Sequence, residues 1–252
     1  MRILAYHHVC SNWIPSIART TPRQFSRQLC LIEELGYSFV TLSQALSRKS
    51  QKNPGNQNTV VLTFDDGQTC FWHNALPELL KRKIPAVIFV VTGFVGRDNG
   101  WDYYGGFSRC RHLSWPELRE LVSLGFEIGS HTHTHRGLSS CPQSIIEFEL
   151  SYSKKLLEDK LGTPVRYLSY PFGRFNKTVK RIAAALQYRA AVSMNPALPD
   201  ADLFSLPRSA VYLMETENSL KNKLNKNGNH ISLKIINAFS MGTEILMNFK
   251  RG

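Results

Sequence analysis

The chain of 252 residues reads as an α/β protein built on a parallel sheet or a β/α barrel. Short apolar runs of strand length alternate with helical stretches along most of it. Two of those runs, Thr59–Phe64 and Ala86–Val91, are almost continuously apolar, as a parallel strand buried on both faces requires. The composition agrees. A content of 42% hydrophobic and 11% aromatic residues excludes disorder over most of the chain, and the length suits one large α/β domain or two small ones.

Taken in order, Ile3–Tyr6 is a strand. Pro22–Leu35 is a helix with Phe25, Leu29, Ile32 and Leu35 on one side and Gly36 as its stop. Ser38–Leu42 is a second strand, and Ser43–Ser47 a short helix capped by its serine. Gln51–Asn58 is polar, carries Pro54 and Gly55, and is a loop. After the strand Thr59–Phe64 come a helix over Phe71–Arg82 and the strand Ala86–Val91. Gly93–His112 is irregular, aromatic and glycine-bearing, which suits a loop over a cleft. A helix around Pro116–Leu124 leads to the strand Phe126–Ile128, and Pro142–Leu161 is a long amphipathic helix. Tyr167–Tyr170, Lys177–Leu186 and Arg189–Ser193 continue the alternation as strand, helix and strand. No internal repeat is present. From about Glu217 the character changes: Ser219–His230 is polar and lysine-rich, whereas Ile231–Phe249 is apolar with Ile235, Phe239, Leu246 and Phe249 at helical spacing. The simplest expectation is a helix docked on its own domain; the alternatives are an interfacial membrane helix and a partner contact.

With 31 Lys and Arg against 19 Asp and Glu, the formal charge is +12 and the pI near 9.6. Such charge serves solubility, nucleic acid, an anionic membrane or an anionic substrate. No helix-turn-helix, zinc-finger or aromatic RNA-binding pattern accompanies it, so nucleic acid is not an expected partner. No apolar run approaches the roughly 18 residues of a membrane span. Met1–His8 lacks the shape of a signal peptide, and the expectation is a cytoplasmic protein. The five cysteines, Cys10, Cys30, Cys70, Cys110 and Cys141, are odd in number and widely spaced, with no Cys-x-x-Cys pair, so reduced thiols are expected.

Four constellations carry chemistry, each at the C-terminal end of a predicted strand, where barrels of this kind gather their active sites. In Thr63-Phe64-Asp65-Asp66-Gly67, two adjacent carboxylates end a hydrophobic strand, and burying both charged is costly without a cation. One can bind a metal while the other handles a proton; the plainer reading is an Asp-Asp-Gly turn. Gly129-Ser130-His131-Thr132-His133-Thr134-His135 puts three histidines in five residues. Imidazole suits zinc and its neighbours, and Asp66, His131 and His135 would make three protein ligands with positions left open, as in a catalytic site. Spacing alone does not say which two of the three histidines ligate. Ser169-Tyr170-Pro171-Phe172-Gly173 is by itself a turn. Tyr6-His7-His8 ends the first strand.

Together and in this order, Thr63–Gly67, the His131–His135 pair and Tyr170–Gly173 resemble the NodB-homology polysaccharide deacetylases, carbohydrate esterase family 4. The resemblance covers roughly Met1 to Tyr212, dividing the chain into a domain over 1–215 and a basic, partly apolar extension over 216–252. It implies a distorted (β/α) barrel of the glycoside hydrolase/deacetylase type, and hydrolysis of N-acetyl, in some members O-acetyl, groups on sugars. It further implies a divalent metal, Zn2+ first and Ni2+, Co2+ or Fe2+ as alternatives. Residue by residue, it makes Asp65 the catalytic base and Asp66, His131 and His135 the metal ligands. The Tyr170 backbone N–H, with Pro171 and Phe172 beside it, would help hold the oxyanion. Two departures stand out. The late Leu-x-x-His that usually supplies the acid is here Leu206-Pro207-Arg208-Ser209, and the arginine expected just before the third motif is replaced by Ser169 and Tyr170. In the circularly permuted branch that deacetylates poly-N-acetylglucosamine, an early Tyr-His supplies the acid. Tyr6-His7 resembles it, which assigns His7 as the acid and leaves Arg208 to pair with Asp65.

The implied chemistry needs Asp65 charged and His7 cationic together. Trp101, Tyr103 and Tyr104 in the aromatic loop fit sugar stacking. The basic charge and apolar tail fit a lipid-linked sugar at an anionic membrane face. The rival readings are a catalytically silent carbohydrate-binding protein on the same fold and a metal hydrolase of another amide or imide.

Overall fold

The structure, a computed structural model, describes residues 1–11, 16–50, 58–98, 111–199 and 201–225. Trp101 and the apolar tail Ile231–Phe249 lie outside the described residues. The strands are β1 (Arg2–Tyr6), β2 (His8–Val9), β3 (Arg19–Thr20), β4 (Ser38–Phe39), β5 (Thr59–Phe64), β6 (Ala86–Val90), β7 (Glu127–Ser130), β8 (Tyr167–Ser169), β9 (Ala190–Val192) and β10 (Ser209–Ala210). The helices are α1 (Pro22–Glu34), α2 (Leu42–Ser50), α3 (Leu76–Arg82), α4 (Trp115–Ser123), α5 (Gln143–Leu161), α6 (Lys177–Ala185) and α7 (Glu217–Leu224).

Eight strands form one parallel sheet in the order β10-β1-β5-β6-β7-β8-β9, with β4 beside the start of β5; β2 and β3 pair separately. The sheet curls until one short segment joins its two ends. Leu206 pairs with Val192 of β9, giving its N–H to Ala191 and accepting from Ser193, each at 2.9 Å. Three residues later Ser209 pairs with Leu4 of β1. This closure through residues 206–210 makes a distorted (β/α) barrel, the class that the alternation predicts.

Side chains alternate across each strand. Ile3, Val61, Val87, Phe89, Tyr167, Ala190, Val192 and Leu206 form one buried cluster inside the barrel. Their neighbours Leu4, Tyr6, Val60, Leu62, Phe64, Ile88, Val90 and Leu168 point outward to Phe25, Leu29 and Ile32 of α1, Leu79 of α3, Leu118 of α4 and Leu150 of α5. Both faces of the central strands are therefore buried, which is why β5 and β6 read as continuous apolar runs. Leu42 and Ala45 of α2 join the inner cluster, and Glu127 of β7 accepts from the Leu42 and Ser43 N–H groups at the start of α2.

Several expectations change in detail. The second strand is only Ser38–Phe39, because Thr41 and Gln44 form reciprocal capping bonds at 3.0 Å and start the helix at Leu42. Thr41 is thus the cap; the Ser43 hydroxyl instead meets that of Tyr167 at 2.6 Å. The helix read over Phe71–Arg82 opens as a π-helical stretch, Phe71–Ala75, just ahead of Pro77, which has no N–H to give to the regular ladder. In the lysine-rich segment after Glu217, α7 buries Leu220 and Leu224 and is tied to the body by Arg2 and Tyr37, which both donate to the Leu224 carbonyl. Cys10, Cys30, Cys70 and Cys141 form no disulfide among the described residues. No helix among the described residues is long and apolar enough to cross a membrane.

Gly129 of β7 sits opposite Phe89 of β6, and a Cβ there would lie 2.5 Å from the Phe89 ring. A bare backbone at that point lets the ring fill the barrel. Gly129→Ala is therefore expected to cost about 1–3 kcal/mol through overpacking. Urea denaturation checks this, and an unchanged midpoint would mean that the ring turns aside freely.

Candidate active site

The interior parity of β1 and β5 runs one step past each strand. Ile3 and Ala5 are followed on the inner side by His7, and Val61 and Thr63 by Asp65. The Asp65 N–H donates to the Tyr6 carbonyl at 2.9 Å, continuing the ladder. Asp65 thus arrives buried inside the barrel mouth. Its partner comes from the closing segment 143 residues later. Arg208, 1% exposed, grips the carboxylate with both arms, Nη1 to Oδ1 at 2.8 Å and Nη2 to Oδ2 at 2.7 Å. Its other N–H groups reach Thr63 Oγ1 at 3.0 Å, Ser169 Oγ at 2.7 Å and the Ser193 carbonyl at 3.3 Å. All five guanidinium donors are satisfied. The Phe89 ring lies beneath, 5.5 Å from the guanidinium carbon. Burial alone would raise the Asp65 carboxyl, but Arg208, His131 and His7 outweigh it and hold it well below the usual carboxylate range.

Asp66 points the other way along a strand, and the turn corrects this. Its backbone is left-handed, φ 70°, which brings its carboxylate beside two histidines. His131 follows β7 with its Nδ1 2.8 Å from the Ser169 carbonyl. A carbonyl only accepts, so Nδ1 carries the proton and the Nε2 lone pair is left facing the carboxylates. That Nε2 is 3.5 Å from Asp66 Oδ1 and 4.0 Å from Asp65 Oδ2. His135 Nε2 is also 3.5 Å from Asp66 Oδ1. The three ligand atoms of Asp66, His131 and His135 lie within 4.8 Å of one another, all on buried residues. Burial lowers the His131 pKa against the opposing pull of Asp65 and the Ser169 carbonyl, so its ring is held neutral, as a metal ligand must be. Two imidazoles and a carboxylate converging in this way fit a divalent ion such as zinc.

The structure also separates the three histidines. His133 turns away, its Nδ1 2.9 Å from Thr92 Oγ1 and its ring against Phe148 and Tyr152 of α5. Left-handed backbone recurs at Thr132 (φ 68°), His135 (φ 59°) and Phe172 (φ 57°), so four non-glycine residues in that region border one site.

The remaining assignments fare differently. His7 is half-buried beside this group, and its Nδ1 has no hydrogen-bond partner among the described residues. Burial, with smaller contributions from Arg208 and His131, pushes its pKa down to about 4 although Asp65 pulls the other way. Burial thus favours the neutral ring near pH 7, against the cation that the implied chemistry asks for. The Tyr170 N–H, expected at the oxyanion, is committed to the Val192 carbonyl at 3.2 Å, and its hydroxyl to the Phe204 carbonyl at 2.9 Å. Pro171 is buried behind it, and Phe172 is the residue of that turn which borders the ligands, its ring 4.9 Å from that of His135. Thr63, Ser169 and Ser193 were not legible as site residues, because hydroxyls and carbonyls carry no pattern of their own.

The polysaccharide deacetylase family model matches residues 52–191, more than half of the chain. The chain belongs to the polysaccharide deacetylase family. Among curated relatives, the Bacillus subtilis protein YxkH is 27% identical over 211 residues, 83% of this chain and 70% of its own. A Staphylococcus aureus poly-beta-1,6-N-acetyl-D-glucosamine N-deacetylase is 28% identical over 198 residues, 73% of this chain. The match spans 65% of the staphylococcal enzyme's length. Among solved structures, the Streptococcus pyogenes deacetylase PplD in complex with acetate superposes with a TM-score of 0.77 at 25% identity, covering 89% of this chain and 98% of its own. The parallel barrel is thus the deacetylase barrel.

In this deacetylase site the Asp65–Arg208 pair has a stability consequence. A carboxyl whose pKa is depressed on folding stabilises the protein above its ordinary pKa, and that stability is lost as pH falls toward the folded value. Arg208→Met leaves a buried carboxylate uncompensated and is expected to cost about 3–5 kcal/mol at pH 7. The double variant with Asp65→Asn should recover part of the loss. Chemical denaturation at pH 7 of the single and double variants checks both expectations.

Proposed function

We propose that the chain is a metal-dependent hydrolase that removes N-acetyl groups from a carbohydrate. The observation that carries this is a charged, Arg208-held Asp65 whose Oδ2 faces the buried Asp66–His131–His135 group. A divalent cation held by Asp66, His131 and His135 would supply a Lewis acid that polarises the acetyl carbonyl and acidifies water. Asp65 takes the proton of the attacking water; Arg208 fixes its orientation and keeps it ionised. His7 protonates the leaving amine. Since its ring is neutral at rest, the proton that Asp65 has gained from water is the one available to it, and the balance closes as amide plus water giving acetate plus amine.

The named activity of the staphylococcal relative supports an N-acetylhexosamine oligomer or polysaccharide as substrate. The +12 charge supports a lipid-linked form or a peripheral contact with an anionic membrane.

The test is acetate release from N-acetylated sugars, short oligomers and a lipid-linked acetylaminosugar, with and without chelator. Release that a chelator abolishes is the expected result; none from any substrate, with metal bound, would sink the reading. Asp65→Asn is expected to keep metal and lower kcat about 10²–10⁴-fold, and His7→Ala to lower it at least about 10²-fold at unchanged metal content. Loss of metal in the His7 variant would make His7 a ligand instead.

The pH profile separates the two states of His7. Because burial holds His7 neutral and the pairing with Arg208 holds Asp65 ionised, kcat/KM should be level between about pH 6 and 8. A tenfold fall per pH unit across that range would show that His7 has to start as a cation.

A further inference from the structure

The loop that carries His131 and His135 is held from outside the site by one helix. Glu149, in the second turn of α5, is 2% exposed, and its carboxylate is aimed at the loop backbone. One oxygen, Oε2, accepts from the N–H groups of both His133 and Thr134 at 2.8 Å. The other oxygen takes the Thr134 hydroxyl. Two successive N–H groups converge on one oxygen because the left-handed Thr132 turns the chain into an anion-holding nest. One turn further along α5, the Ser153 hydroxyl meets that of Ser130 at 2.8 Å, and Ser130 Oγ accepts from the Thr132 N–H at 3.2 Å. The loop closes on itself when the His135 N–H donates to Thr132 Oγ1 at 3.1 Å.

We propose that Glu149 is a positioning residue for the metal centre. Its carboxylate holds the loop backbone and not the ligand atoms, and by occupying the nest between the two histidines it fixes where His135 stands relative to His131. The strain argument supports this. Thr132 and His135 hold left-handed backbone that non-glycine residues adopt at a cost, and such a conformation persists only where its surroundings over-determine it. Without the carboxylate, two part-buried N–H groups lose their acceptor and the loop has reason to relax to ordinary φ values. His131 has its own anchor in the Ser169 carbonyl, so the relaxation falls on His135.

The inference rests on Asp66, His131 and His135 binding a divalent ion, and the experiment keeps the two apart. Zinc affinity of the full chain is measured by competition with a chromophoric chelator, beside the rise in melting temperature that zinc produces in each variant relative to its own metal-free form. Wild-type protein that binds no divalent ion would overturn the metal reading itself. Given wild-type binding, Glu149→Ala is expected to weaken zinc about 10–100-fold, the range for residues that orient metal ligands. Glu149→Asp keeps the charge but withdraws it by one methylene, and the same direction is expected. Glu149→Gln should stay within about threefold, far short of that range. Its amide oxygen can accept both N–H groups while its NH2 donates to Thr134 Oγ1. A purely structural role would lower the metal-free melting temperature and leave zinc affinity unchanged. Folded Glu149→Asp with wild-type affinity overturns the proposal, and it decides the matter if Glu149→Ala does not fold.

Discussion

A carboxylate inside a closed barrel has to be matched by a cation that cannot leave, and in this protein the match is Arg208 to Asp65. The pair dictates its surroundings. Arg208 is buried and its five donors all have acceptors, so Thr63, Ser169 and Ser193 are held in place from three different strands or strand ends. Phe89 forms a floor under the guanidinium, and Gly129 is bare so that Phe89 fits. The segment that delivers Arg208 is the same one that joins β9 to β1 and closes the barrel. Closure of the fold and ionisation of Asp65 are therefore one structural event.

This explains how a chain without the usual arginine before its third motif still has a guanidinium on its aspartate. Ser169 stands at the end of β8, small enough to leave the space that Arg208 enters from the neighbouring segment. Its hydroxyl donates to Asp65 Oδ2 at 3.2 Å while accepting from Arg208, and its carbonyl orients His131. One residue thus links the Asp65–Arg208 pair to the Asp66–His131–His135 group.

Much of this was legible in the sequence, for identifiable reasons. Apolar runs with both faces buried give strands, and polar residues directly after such runs fall at the barrel mouth, which placed His7, Asp65 and His131 near one another. What periodicity could not give was the turn. Asp66 has the wrong parity for the interior and reaches the site only through its left-handed backbone. His133 shares the parity of His131, and what sends it outside is the left-handed Thr132 between them. Glu149 was hidden in an ordinary amphipathic helix, because a carboxylate that caps a nest leaves no spacing signature. The charge state of His7 and the engagement of the Tyr170 N–H depend on burial and on the β9 ladder, neither of which a motif encodes.

The adjacency of Asp65 and Asp66 is the most economical feature of the site. Two neighbouring carboxylates would repel if they shared an environment, but strand alternation and one left-handed residue send them to different partners. Asp65 is neutralised by Arg208, and Asp66 faces two imidazoles, of which His131 is held neutral by its burial. A divalent ion on Asp66, as proposed, would then leave a net positive charge beside a carboxylate already committed to its own cation. That is the sign of field that stabilises an oxyanion, in a buried place where such a field acts at close range and with little screening. On the proposed mechanism, the order of the residues in the motif follows from electrostatics: the carboxylate that would carry protons needs the interior parity that meets Arg208, and the one after it, turned aside, is the one that could meet a metal.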